Sequence, residues 1–158
     1  MLSISYLYIT GGGCIDAICM TSISYLYITG GGCIDATLIM TDSYSLRLKF
    51  WGTRGSIPCP GPETVRYGGN TTCFEINFED QRLIIDAGTG IRLLGKKILL
   101  EEGNLLNAKL FFTHTHMDHI QGLPFFAPLY NPASNVNLFA GHLDGDNYDL
   151  HGIIGTML

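Results

Sequence analysis

The sequence predicts an α/β domain preceded by a charge-poor leader. From residue 46 onward, short apolar strand patterns alternate with a segment of helical periodicity. At 46% apolar in 158 residues, the chain can bury one core and is not disordered. All nine Lys and Arg lie between Arg47 and Lys109, whereas residues 1–42 carry only Asp16, Asp35 and Asp42. The division is therefore a leader over 1–42 and a domain over 43–158. A net charge of −5 gives no general attraction for nucleic acid or an anionic membrane, so no DNA-binding signal is present.

The leader holds a verbatim duplication: Ser3–Ala17 reads SISYLYITGGGCIDA, and Ser22–Ala36 reads the same. Solenoids need about three or more units to bury a shared face, so two copies predict a local duplication outside the domain. Each copy offers a strand, Ile4–Ile9 or Ile23–Ile28, running into a glycine turn. Gly11, Gly12 and Gly13 do not make a dinucleotide fingerprint, because the sixth position from Gly11 is Asp16. The leader lacks the basic start of a signal peptide, and Ser, Thr and Gly interrupt its uncharged stretch, so no membrane span is expected. Cys14, Cys19, Cys33, Cys59 and Cys73 contain no C-x-x-C pair and are odd in number, which points to reduced thiols and a cytoplasmic protein.

In the domain, Leu46, Leu48 and Phe50 alternate with Arg47, Lys49 and Trp51 in a strand ending at Gly52. Residues 53–71 hold three Pro and four Gly and predict a long structured loop, a length usually kept for function. Cys73–Phe78 and Arg82–Ile85 read as a hairpin across Glu79, Asp80 and Gln81. Ile91, Leu94, Ile98 and Leu99 set a helix over 91–102, stopped by Gly103. Lys109–Thr113 and Val136–Ala140 are strands. The stretch from Asp144 to Asp149 fails the calcium-loop pattern, which needs Gly at its sixth position, here Asp149.

Thr113-His114-Thr115-His116-Met117-Asp118-His119 gathers three of the five histidines beside a carboxylate. On an extended backbone His114 and His116 project to one side, while a following turn re-aims Asp118 and His119 toward a second point. Such clusters form poor cores and good ligands, and two ions about 3.5–4 Å apart fit the pattern.

This motif is similar to the H-x-H-x-D-H signature of the metallo-β-lactamase-fold metallohydrolases. Upstream, Phe50–Pro58, Arg66–Thr71 and Ile85–Gly90 resemble the opening of its phosphodiesterase-like branch. The resemblance implies the N-terminal half of an αββα sandwich. It also implies a dinuclear zinc site, with Mn2+ or Fe as alternatives: His114 and His116 on one ion, Asp118 and His119 on the other. Asp118 would orient the nucleophile, and Asp86 would orient a ligand from behind the site. The implied reaction is hydrolysis of a small phosphodiester, of cyclic-phosphate type. Asp86-Ala87-Gly88-Thr89-Gly90 departs from the Asp-x-Gly-Glu-Gly-Thr of the tRNA-processing members, which argues against that substrate. Arg54 and Arg66 are candidate phosphate ligands, with ordinary surface pairing as the other reading.

After His119 only His142 and His151 remain, and neither matches the family's later ligands. The expectation is therefore a C-terminally truncated chain whose site is incomplete for catalysis, marginally stable and weak in metal. A non-catalytic remnant or metal-binding module is the alternative function. A homodimer is common among relatives, though no spacing here implies one.

Overall fold

The computed structural model describes residues 7–10, 25–30, 34–41, 44–141 and 150–157. Eight strands form one sheet in sequential order: β1 (Leu7–Thr10), β2 (Tyr25–Gly30), β3 (Ile34–Thr41), β4 (Tyr44–Gly52), β5 (Cys73–Phe78), β6 (Gln81–Ile85), β7 (Asn107–Phe112) and β8 (Asn135–Ala140). Strands β2 to β6 pair antiparallel with one another in succession, whereas β1 with β2, β6 with β7 and β7 with β8 are parallel. The architecture is mixed α/β, as the strand and helix patterns require.

Antiparallel β4 and β5 are joined by the long loop, and β5 and β6 by a short turn. Between β5 and β6 the chain reverses at Glu79 and Asp80, and Glu79 takes a left-handed φ of 50°. Parallel pairing needs a crossover, and α1 (Ile91–Glu102) supplies it between β6 and β7. Gly103 ends α1 at φ 65°, a backbone conformation that glycine adopts without a Cβ penalty, and its N–H donates to the Ile98 carbonyl. Two short helices complete the described elements: α2 (Met117–Ile120), which carries the end of the metal-type motif, and α3 (Leu150–Gly155), with 3-10 turns at Leu123–Phe125 and Ala127–Tyr130 between them.

Strands β1 and β2 lie within the leader, inside or overlapping the two segments read as strands. They pair in parallel with each residue beside its own duplicate, Leu7 on Leu26 through Thr10 on Thr29. Strand β3 was not anticipated. It pairs with β4 from Ile34 on Phe50 to Thr41 on Tyr44, so the ladder continues across residue 42. The Gly11–Gly13 triplet, Cys14, Cys19, Cys33, His142 and the Asp144–Asp149 stretch lie outside the described residues.

The core occupies one face of the sheet. Ile91, Leu94 and Ile98 of α1 are fully buried with Ile84, Leu110, Leu123 and Phe126. Glu75 joins this face at 2% exposure, accepting from Trp51 Nε1 at 2.9 Å and pairing with Arg82 Nε at 3.1 Å. Arg82 in turn makes a bidentate pair with Glu102 at 2.9 and 2.8 Å, tying β6 to the end of α1. Burial lowers the Arg82 pKa, but Glu102 and Glu75 more than offset it and leave it raised.

The opposite face is also apolar. Phe50 packs edge-on against Phe74 at 5.0 Å, and Phe111 stacks on Phe139 at 4.7 Å. Phe78 and Phe139 there are 36% and 42% exposed. The sheet thus presents a second hydrophobic surface, as a layer of a sandwich would.

Candidate metal centre

The motif sits where β7 ends. Two turns meet beneath it: residues 86–88 after β6, and residues 119–122 around α2. Asp86 N donates to Phe111 O at 2.8 Å, Ala87 N to His119 O at 2.7 Å, and Gly122 N to Ala87 O at 2.8 Å. A Cβ on Gly122 would overlap the Gly88 carbonyl, and one on Gly88 would overlap the Asp118 carbonyl. Only bare backbone permits this approach, and it fixes where the histidines emerge.

Asp86 is 1% exposed and holds a left-handed φ of 61°, a conformation Asp tolerates better than most residues. Its Oδ1 accepts Thr113 N at 2.8 Å, and Thr113 Oγ1 lies 2.9 Å from Oδ2. Oδ2 also lies 2.8 Å from His119 Nδ1. An ionised carboxylate accepts only, so His119 carries its proton on Nδ1 and keeps the lone pair of Nε2 free. Thr113 Oγ1, having given its hydrogen to Asp86, accepts from His114 Nδ1 at 3.1 Å. That contact leaves the Nε2 lone pair of His114 free as well. One buried carboxylate therefore sets two imidazoles, one directly and one through a hydroxyl.

The freed nitrogens face the remaining donors. His114 Nε2 lies 3.1 Å from His116 Nδ1, and His119 Nε2 lies 3.4 Å from Asp118 Oδ2. Two donors held by one tetrahedral ion at roughly 2.0–2.1 Å stand about 3.3 Å apart, so both spacings fit that chemistry. His116 is extended at φ −63°, ψ 151°, and the chain turns helical at Met117, so Asp118 and His119 leave the backbone in a different direction from His114 and His116. The rings of His114 and His119 are 3.9 Å apart, so the pairs are adjacent. Among the described residues, no three His, Cys, Asp or Glu donors converge on one ion position.

Charge favours the ligand forms. Burial, with the neighbouring His119 and His116 rings, holds the His114 imidazole below its ordinary pKa, so it is neutral near pH 7. Burial pushes the Asp118 carboxyl up, but the Ser56 N–H donated to Oδ2 at 2.8 Å and the nearby histidines outweigh it, leaving the pKa lowered. Ser56 reaches Asp118 from the long loop at φ 68°. Thr113 and Ser56 were not singled out from sequence. Their roles come from contacts 27 and 62 residues distant along the chain.

Arg54 sits on that same loop, with its backbone held by Asn70 O at 3.0 Å and a bridge to Thr71. Arg66 is exposed and lies over the Tyr67 ring at 5.0 Å. His151 lies on α3, apart from the motif in sequence. Cys73 is buried and Cys59 is partly buried, and neither is in a disulfide among the described residues. Among the described residues, no helix is long and apolar enough to cross a membrane.

The chain is similar to a ribonuclease Z from Natronomonas pharaonis, with 35% identity over 80 residues. The match takes in 51% of this chain and 23% of that protein, so the chain spans under a quarter of its relative's length. A structural neighbour from Thermotoga maritima, provisionally assigned as a metallo-beta-lactamase, shares 23% identity. It covers 58% of this chain and 42% of the neighbour at a TM-score of 0.33, too low for the superposition to carry weight. No family model matches the chain.

Proposed function

We propose that this chain carries the donor half of a metal-dependent hydrolase site acting on a small phosphodiester. The observation that carries the reading is the pair of donor couples, 3.1 and 3.4 Å apart, whose rear nitrogens are held by one buried carboxylate. That arrangement orients lone pairs outward at a strand end, where a substrate has access. The likeness to a protein named for cleaving RNA supports a phosphodiester over a lactam.

Zinc would supply Lewis acidity to a phosphoryl oxygen and to a water nucleophile. Manganese or iron suits the same mixed nitrogen and oxygen donors. His114 and His116 would hold one ion, and Asp118 and His119 the other. Asp118 also presents an ionised oxygen that can orient the attacking water. Asp86 and Thr113 keep the imidazoles in the tautomers that ligation needs. The Thr89-Gly90 departure from the tRNA-processing pattern supports a small diester over a folded RNA.

A metal-binding module without turnover is favoured by one observation: each ion would receive two of these protein donors, whereas catalytic zinc usually takes three. Titrating the chain with Zn2+ and then assaying a chromogenic phosphodiester separates the readings. Binding of two ions with turnover that a chelator abolishes supports the hydrolase. Binding without turnover supports the module, and failure to bind sinks both.

A further inference from the structure

The loop over 53–71 does more than anchor Asp118. It lines an open surface pocket of about 470 Å3, bounded by Thr53, Arg54, Gly55, Glu63 and Tyr67, among others. Gly55 belongs both to this wall and to the metal-type centre, since a Cβ there would lie 4.0 Å from Asp118 Oδ2. The pocket therefore opens beside the proposed reacting atoms.

Arg54 is the pocket's cation. Its Nε is buried with no hydrogen-bond partner, one of only two such side-chain atoms among the described residues. Buried donors without partners are rare and costly, about 1–3 kcal/mol each, and mark places where a ligand or water completes the bonding. No carboxylate among the described residues pairs with Arg54, although Glu63 lines the same pocket. A guanidinium at the pocket wall, with its backbone bonded and no carboxylate partner among the described residues, suits an oxyanion as a charge-assisted ligand.

We infer that this pocket is a recognition subsite for a second anionic group on the substrate, one that is bound and not hydrolysed. This rests on the hydrolase reading and names its substrate class: a diester bearing an additional phosphate or carboxylate. Arg54 holds that group, and the loop that carries Arg54 also carries the Ser56 N–H on Asp118, so seating the anion steadies the ligand loop. Glu63 opposes indiscriminate anion binding, which makes removal of its charge informative.

Inorganic phosphate is the probe, titrated by calorimetry into full-length protein held metal-free with chelator. Wild type is expected to bind in the millimolar range. Arg54→Gln should weaken binding at least about tenfold, the scale of one charge-assisted hydrogen bond. Glu63→Gln should tighten it, and His116→Ala should leave it unchanged. Equal binding by Arg54→Gln and wild type, or no tightening in Glu63→Gln, overturns the inference. Loss of binding in His116→Ala also overturns it, by placing the phosphate on the histidines. Because no metal is present, failure of the hydrolase reading appears separately, as absent zinc binding in protein that still binds phosphate through Arg54.

Discussion

Replacing Asp86 with Asn isolates the charge at the hub of the site. Asn tolerates the left-handed backbone at φ 61° as well as Asp does, so the backbone is not strained. The amide oxygen stays on Thr113 N, because that donor cannot turn away. The new NH2 then faces His119 Nδ1, now 2.8 Å from a donor where an acceptor stood. His119 must answer by accepting on Nδ1, which moves its proton to Nε2, the nitrogen that faces Asp118. The Asp118 and His119 pair loses a lone pair, while His114 and His116 keep theirs through Thr113. Outer partners of this kind typically cost about 10–100-fold in metal affinity, or roughly 1.4–2.7 kcal/mol. The hydrogen bond itself is replaced, so the metal-free fold should lose only about 1 kcal/mol, near 2–4 °C in Tm for this size. Zinc titration against a competing chelator at pH 7.5, with parallel melts without metal, reads both. One weakened site and one unchanged site is the expected result. Two unchanged sites would show that Asp86 does not control the His119 tautomer.

Four further outcomes follow from the same geometry. Thr113→Val removes the hydroxyl relay and should weaken zinc at the His114 and His116 pair, with Thr113→Ser restoring it; equal affinities for all three proteins refute the relay. Arg82→Ala strips the cation from the buried Glu75 and should cost about 3 kcal/mol or more in urea unfolding, whereas a loss under 1 kcal/mol would mean the pair is solvated. Gly122→Ala forces the 86–88 and 119–122 turns apart and should cost at least about 2 kcal/mol, read from the same denaturation curves. For pH, the lowered His114 pKa means the unfolded chain takes up a proton first, so stability of the metal-free protein falls as pH drops through about 6.5. Zinc should be released over a lower range, because His114 and Asp118 both keep their ligand forms further into acid than free side chains do. Release above the range of free imidazole contradicts that.

Local patterns were readable where one short-range signal decided the outcome. Helix α1 runs from Ile91 to Glu102 as its apolar spacing and Gly103 indicated, and the β5 and β6 hairpin reverses at the expected polar residues. Strand β7 begins at Asn107, two residues before the apolar run at Lys109, because its first partner on β8 is Asn135 and edge residues there need no burial. Strand β3 was missed because its stretch mixes Thr37 and Thr41 with residues of the duplication and shows no clean alternation. At the site, the adjacency of His114 with His116 and of Asp118 with His119 was legible from the spacing of the motif. What spacing could not supply was the support behind them: Thr113 on Asp86 and Ser56 on Asp118 are long-range pairings, the first made where the end of β7 meets the 86–88 turn and the second made by the long loop. Arg54 and Arg66 look alike in sequence, yet the first lines a pocket with a spare donor and the second lies over Tyr67.

The matched rungs of β1 and β2 make the duplicated copies interchangeable. Excising residues 3–21 or residues 18–36 leaves the same shortened polypeptide, with one copy running straight into Thr37. Whichever copy is lost, the survivor can occupy the position beside β3, and only the outermost rung disappears. The sheet's rim is thus a spare, and a gene that sheds or regains the nineteen-residue unit changes the width of the sheet without rewriting anything that bears on His114 to His119.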